Sequence, residues 1–387
     1  MVDFNLTNIE KEWQNKARRF VKERIIPRAD LDTHHHFPWD LYHDAFNEGF
    51  VTAMLPQHLG GGGRSPFEMI LAAEEFGYGD LGIATSTFLF NLSTASLLQF
   101  GTDEQKERWI RPLTKTLQFA AHAYTEPAGS SNLFKLPAKT TATKVSGGYL
   151  LNGIKSTISN ASVASIYTVF ARIENGPGNL SCFIVPRDKE GVEVATPYKK
   201  MGQRAADTGE IRFNNVFVPH EDLIGLPEQG NHIAMRAIRN SRVGVAAMAI
   251  GVARRAQVLI KQHGHDRLVS NGAKLIDQQD FRFHLAEIEI EIEMVRALCW
   301  RACWEITSGE QATKLSSCAK LAGANMAVRV TNLGAEMLGA SGYLESGLIE
   351  KLLRDAKVLQ IYEGTAFVHK TLIADVCTRL GKQEKLI

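Results

Sequence analysis

In the stretch Ile361-Tyr362-Glu363-Gly364-Thr365 a carboxylate stands between an aromatic residue and a glycine. It closes an amphipathic run in which Leu352, Leu353, Ala356 and Leu359 recur at helical spacing, with Lys351, Arg354, Asp355 and Lys357 between them. Two readings of Glu363 are open at this point. It is a solvated charge at a helix end, or it is a base strengthened by burial among Ile361, Tyr362 and Phe367. Desolvation disfavours a charged carboxylate and raises its affinity for a proton, and the chemistry open to such a group is proton abstraction.

Other residue patterns offer less. The five cysteines form no CxxC pair, and their number is odd, which argues against a disulfide framework or a zinc site. Cys299 and Cys303 lie four apart, a spacing that suits packing on one helix face. His34-His35-His36 lies in a polar connector with no second ligand cluster nearby, and no metal is expected. Gly60 to Gly63 precedes Arg64-Ser65-Pro66 without the Gly-Lys-Ser/Thr ending of a phosphate loop, and reads as a flexible connector between helices.

These residues need elements to position them. The chain has 387 residues, enough for two or three domains, with 44% hydrophobic and 22% charged residues. Lys plus Arg is 44 and Asp plus Glu is 42, so no basic field points to nucleic acid. The N-terminal stretch mixes charges with apolar residues and has no secretory h-region, and no apolar run of about 18 residues marks a membrane span. A cytoplasmic location is the default expectation, or the mitochondrial matrix for a processed eukaryotic chain.

Residues 1–117 show helical patterns over Asn8 to Ile25, Leu41 to Gly49, Glu68 to Phe76, Ser86 to Phe100 and Glu104 to Leu113. Residues 118–228 change texture, with short β-rich runs around 149–153, 165–171, 180–185 and 209–218 between turn residues. No βαβ unit with GxGxxG is present. Residues 229–387 are helical again in four long segments. Glu287 to Glu293 alternates like a strand, but Leu285, Ile288, Ile292, Val295 and Cys299 also form a helical stripe, and the flanks extend beyond strand length. The expected architecture is α+β: an N-terminal helical domain, a middle antiparallel β domain and a C-terminal four-helix bundle.

With that order in place, four stretches make the chain resemble the acyl-CoA dehydrogenase family of flavoproteins. They are "ARRFVKERIIPRADLDTHHHFPWDLYHDAFNEGFVTAMLPQHLGGGG", "AYTEPAGSS" with "GGYLLNGIKSTISNA", "KKMGQRAADTGEIRFNNVFVPHEDLIG", and "MLGASGYLESGLIEKLLRDAKVLQIYEGT". The resemblance implies FAD, held between the β domain and the bundle, and oxidation of an acyl thioester to the trans-2-enoyl thioester. It makes Glu363 the base that removes the α-proton while the β-hydrogen leaves as hydride to flavin N5. The Glu363 backbone N–H and a ribityl hydroxyl would meet the enolate oxygen. It implies a homo-oligomer, dimer or tetramer, and electron transfer to an electron-transfer flavoprotein, with neither nucleic acid nor membrane as partner.

Carried over residue by residue, Thr125, Thr157, Ser159 and Thr365 face the flavin, and Ser130 lies near its phosphates and the substrate's pantetheine. Arg267 reaches a neighbouring subunit's FAD, and Glu336 and Gly339 lie where FAD is met across the dimer. Arg242, Phe88, Tyr362 and Gly364 are the substrate-side residues, with Phe88 and Phe90 at the acyl end of the pocket. Some branches of the family carry the base just before the arginine of the first bundle helix. Here that position is Ser241, which is no base.

Departures gather around the cofactor. TEPAGSS is one residue short, with Ser131 for an aspartate, and Thr157 replaces a bulky aromatic. Leu268 to Gly272 carries an apparent insertion, Glu336 replaces a glutamine, Ala340 a glycine, and Phe367 and His369 polar residues. They leave room for an oxidase, for a carrier-protein thioester as substrate, or for a flavin-free scaffold of the same fold.

Overall fold

A computed structural model describes residues 5–34, 36–129, 138–176, 178–309, 312–345 and 347–380. The first part consists of α1 (Asn8–Phe20), α2 (Trp39–Asn47), α3 (Pro66–Gly79), α4 (Leu81–Phe100), α5 (Asp103–Trp109) and α6 (Arg111–Lys115). Three of these start on reciprocal caps written in the sequence: Thr7 with Glu10, Ser65 with Glu68 and Thr102 with Gln105. The glycine run is not a loose connector. Gly62, Gly63 and Arg64 donate their N–H groups to Thr52, Leu55 and Ala53. A Cβ on Gly61 would come within 2.2 Å of the Leu55 carbonyl oxygen, so the backbone approaches as only glycine allows.

The middle part is one mixed sheet of eight strands: β1 (Phe119–Ala123), β2 (Thr141–Val145), β3 (Gly148–Ser159), β4 (Ala164–Ile173), β5 (Leu180–Pro186), β6 (Val192–Val194), β7 (Thr208–Pro219) and β8 (Leu223–Ile224). Most ladders are antiparallel, but β1 and β2 both run parallel to β4, β1 along its first half and β2 at its end. The two short strands therefore follow one another along one edge of β4. Sequence patterning had no signal for β1, β2, β6 or β8. The first is mostly alanine, β2 is two threonines, an alanine and a lysine before its one valine, and β6 and β8 are only three and two residues long.

The last part holds α7 (Gly230–Asp266), α8 (Gln279–Thr307), α9 (Thr313–Leu338), α10 (Ala340–Tyr343), α11 (Leu348–Lys357) and α12 (Ala366–Leu380). The 287–293 alternation is helical; Ile288 and Ile292 are buried while Ile290 is 58% exposed. The fourth segment is not one helix but two, broken where Glu363 sits. Helices α4 and α7 are long and apolar enough to cross a membrane, yet 83% and 72% of their apolar windows are buried against the rest of the protein.

One buried ionic cluster ties the three parts together. Lys351 of α11 donates to Asp80 at 2.6 Å, and Asp80 also caps α4 through the Ile83 N–H. Lys351 bonds Asp355 as well at 2.5 Å, and Asp355 accepts the Gln203 N–H from the sheet domain. Burial alone would lower the Lys351 ammonium, but Asp355 and Asp80 together raise it, so the lysine is charged. Arg354, one turn along, grips Asp32 with two nitrogens at 3.0 and 2.6 Å.

Candidate active site

Helix α11 unwinds through a single tight turn, Val358–Gln360, before the chain reaches Glu363. Glu363 adopts φ 53° and Gly364 φ 107°. The left-handed region is unfavourable for a residue with a Cβ, and residues held there cluster at functional sites. Several contacts fix the turn. The Lys320 ammonium on α9 donates to the Gly364 carbonyl at 2.6 Å, and the Ser241 hydroxyl on α7 donates to Glu363 Oε2. On the far side His369 N–H bonds the Thr365 carbonyl at 3.1 Å and begins α12. A Cβ on Gly364 would approach the His369 ring to 3.0 Å.

The two oxygens of Glu363 differ. Oε2 is held by Ser241, whereas Oε1 is closed to solvent and accepts no hydrogen bond from any described residue. Burial pushes the carboxyl pKa up, against the Ser241 hydrogen bond and the Lys320 and Arg242 charges, which push it down. Arg242 is 2% exposed and donates to Ser317 Oγ at 3.1 Å. Burial lowers its guanidinium to about 10, with Glu363 opposing. The Lys320 ammonium falls to about 8 by burial, opposed by Glu363 and reinforced by Arg242. His369 is buried and held neutral, lowered to about 3 by burial and the two cations. A carboxylate with a raised pKa and one unpartnered oxygen, facing two cations, is suited to take a proton from carbon while negative charge grows nearby.

Helix α4 supplies the opposite wall. Thr85 Oγ1 lies 3.5 Å from the Tyr362 hydroxyl. One turn on, Phe88 is 6% exposed and packs edge-on against Phe76, ring centroids 5.2 Å apart. Leu89 and Leu92 meet Ala237 of α7 in a small apolar cluster separate from the main core, with Ala95 and Ile238 against it. Ala237 and Ile238 lie one turn before Ser241, so this cluster sits next to the helix turn that carries the partner of Glu363. Phe88 and Phe90 both belong to the main core.

The sheet adjoins the same place. Asn160, at the end of β3, donates to the Ser86 carbonyl at 3.3 Å, next to Thr85. Ser159 lies just before it and pairs with Thr208. Thr157 occupies a bulge in β3, is exposed, and has φ 53°, a second left-handed residue and a β-branched one. The Ser156 N–H donates to the Thr125 carbonyl at 2.9 Å, which brings Thr125 beside Thr157. Buried Glu126 then binds the Lys139 and Thr140 N–H groups and the Lys155 ammonium, anchoring the returning end of the loop. Ser130 and Ser131 lie outside the described residues. Thr125, Thr157 and Ser159 set neutral hydroxyls at this end of β3, and Thr365 carries another two residues after Glu363. That donor set fits the polar edge of an isoalloxazine ring, so FAD fits the chemistry of these residues.

The remaining predicted cofactor residues form a second group. Glu336 on α9 lines a cavity of about 340 Å³ with Leu275, Gln278, Phe281 and Met337. Exposed Arg267 ends α7 and its carbonyl accepts the Leu275 N–H, which places it at the same turn. Gly339 terminates α9 with φ 60° three residues after Glu336. The structure thus gathers Glu363, Tyr362, Gly364, Thr365 and Arg242 in one place, with Phe88 one turn from Thr85 on the facing helix, and Arg267, Glu336 and Gly339 in another. Sequence reasoning passed over Ser241 as a partner of Glu363, and it missed Lys320 and Ser317. The run Ser316-Ser317-Cys318-Ala319-Lys320-Leu321-Ala322 offered a signal, a single charge among small and apolar residues at core spacing.

Comparisons with known proteins cover all three parts of the chain. The acyl-CoA dehydrogenase N-terminal, middle and C-terminal domain families match residues 7–116, 121–216 and 228–378. Acryloyl-CoA reductase (NADH) of Anaerotignum propionicum is 31% identical over 96% of this chain and 95% of its own. The structure of butyryl-CoA dehydrogenase from Megasphaera elsdenii superposes with a TM-score of 0.93 at 31% identity, covering 98% of this chain and all of that one. A prolyl acyl carrier protein oxidase has a TM-score of 0.92 at 26% identity, covering 96% of this chain and all of that one.

Proposed function

The chain belongs to the acyl-CoA dehydrogenase family, and on that premise we propose that Glu363 is the base that removes the α-proton of a short acyl-CoA. The protein is an FAD-dependent oxidoreductase that dehydrogenates an acyl thioester. FAD supplies the acceptor for the hydride that leaves the β-carbon. The observation that carries the assignment of the base is the unpartnered, buried Oε1 of Glu363 beside an Oε2 held by Ser241. Proton transfer from the α-carbon to Oε1 cancels the carboxylate charge and leaves the electron pair on the thioester. Lys320 and Arg242 then face the enolate without a compensating anion, which favours the charge that develops. The left-handed turn at Glu363 and Gly364 supports the Glu363 N–H as donor to the enolate oxygen.

Phe88 and the Leu89–Leu92–Ala237 cluster support a short acyl chain, because they set bulky apolar side chains on α4 one turn from Thr85 and at its contact with α7 one turn from Ser241. A homo-oligomer is the second proposal. On α8, Phe283, Ile290 and Met294 are 57%, 58% and 66% exposed at spacings of seven and four, one apolar stripe along the bundle. An electron-transfer flavoprotein is proposed as the acceptor of the electrons.

The test is the visible spectrum of the purified protein during anaerobic addition of acyl-CoAs from short to long. A yellow protein bleached by butyryl-CoA is the expected result. Bleaching only by carrier-protein-bound acyl groups would move the substrate to that class, and bleaching only by long chains would overturn the short-chain reading. Hydrogen peroxide released during turnover would identify an oxidase.

A further inference from the structure

Ser241 has one hydroxyl proton and two acceptors within reach. Its Oγ bonds Glu363 Oε2, and the same Oγ lies 2.9 Å from the Ile238 carbonyl one turn earlier on α7. A hydroxyl donates one proton at a time, so with Glu363 ionised the Ser241 proton points to Oε2, with the Ile238 carbonyl as its alternative. When the substrate proton arrives on Oε1, Oε2 becomes the carbonyl oxygen of the acid and still accepts the Ser241 proton. The bond from Ser241 is therefore kept in both states, and the carboxyl group stays in place between them.

We infer that Ser241 is a positioning residue for the proton-transfer step, holding Glu363 in one orientation before and after it takes the substrate proton, with Oε1 left free to receive it. The inference rests on Glu363 being the base. No oxidant or further reactant is involved. The substrate C–H bond breaks, a carboxyl O–H bond forms, and the pair of electrons remains on the thioester. A hydrogen bond to the ionised carboxylate also favours that form, so Ser241 keeps a buried glutamate from becoming too weak an acid to reload at neutral pH. The other charged or titratable groups around Glu363 are Lys320 from α9, Arg242 from α7, neighbouring Tyr362, and His369 from α12, which senses the same two cations. Lys320 titrates near 8, so the comparison belongs below that pH.

The experiment compares wild type, Ser241→Ala, Ser241→Thr and Glu363→Gln as FAD-loaded enzymes. It records the pH profile of anaerobic flavin bleaching, and the infrared carboxyl stretch that is lost in Glu363→Gln. In Ser241→Ala the pH at which this carboxyl ionises should rise, and bleaching below both midpoints should slow about tenfold. Ser241→Thr should restore both. A Ser241→Ala enzyme that is slower with an unmoved midpoint overturns the inference while leaving Glu363 as the base. If Glu363→Gln bleaches normally, the base assignment fails and the inference goes with it. The infrared titration, which needs no turnover, tells these two failures apart.

Discussion

The Lys320 ammonium donates to the Gly364 carbonyl at 2.6 Å, so a charge on one bundle helix fixes the turn that carries Glu363 on another. Lys320→Met keeps the length of the side chain and removes that bond. Because displacements of about 1 Å at a catalytic group cost about 10²-fold, kcat should fall by about that factor in a protein that remains folded by circular dichroism. A turnover number within twofold of wild type would show that the turn holds itself. The same lysine contributes to the pH dependence of stability. Its pKa falls from 10.5 to about 8 on folding, so between those values the unfolded chain binds more protons and stability from this group rises with pH. Denaturant titrations of wild type and Lys320→Met across that window should diverge in that direction.

Glu363→Gln is nearly isosteric and removes the basicity. The variant should bind FAD as wild type does and lose activity by about 10²–10⁴-fold, the usual contribution of a general base. Flavin content and anaerobic bleaching rates measure the two effects separately. For the native enzyme, the raised carboxyl pKa means that the bleaching rate should climb with pH through that value as the carboxylate forms.

Phe88 should set the reach of the acyl pocket. Phe88→Ala opens space beyond the base, and the ratio of kcat/KM for octanoyl-CoA over butyryl-CoA should rise by 10-fold or more, at about 3–5 kcal/mol in stability. An unchanged preference would return Phe88 to a purely structural place against Phe76.

Lys351→Met should leave Asp80 and Asp355 buried without their shared cation. Breaking a buried pair in this way costs about 3–5 kcal/mol, which a urea midpoint will register. Asp80 caps α4 and Asp355 ends in the helix leading to Glu363, so turnover should fall as well.

Light scattering tests the apolar stripe of α8. Wild type should run as a dimer or tetramer, and Ile290→Glu with Met294→Glu should shift it toward monomer while the fold is retained. A wild-type monomer would remove the proposed assembly.

The sequence singled out Glu363 as a candidate, because an acid between Tyr362 and Gly364 at the end of an amphipathic run is a local feature, while the choice between a solvated charge and a base came from the resemblance to the family. Helix α8 was legible for a similar reason: its stripe outlasts any strand, whatever the alternation around Ile290 suggests. The caps at Thr7, Ser65 and Thr102 are local too, since a side chain there bonds its own backbone three residues on. Contacts across the chain left no such trace. Ser241 reads as a small polar residue in an apolar helix, and only the meeting of α7 with the Glu363 turn makes it a hydrogen-bond donor to the carboxylate. Lys320 and Gly364 are 44 residues apart, and Lys351 and Asp80 are 271 apart. Whether such a charge is solvated or buried and paired depends on packing that periodicity does not encode. The parallel placement of β1 and β2 along β4 depends on which edge each strand finds, not on any pattern within five residues. The chemistry was therefore set by residue types visible in the chain, while the orientation of the carboxylate and its affinity for a proton were decided by groups that only the folded structure brings to it.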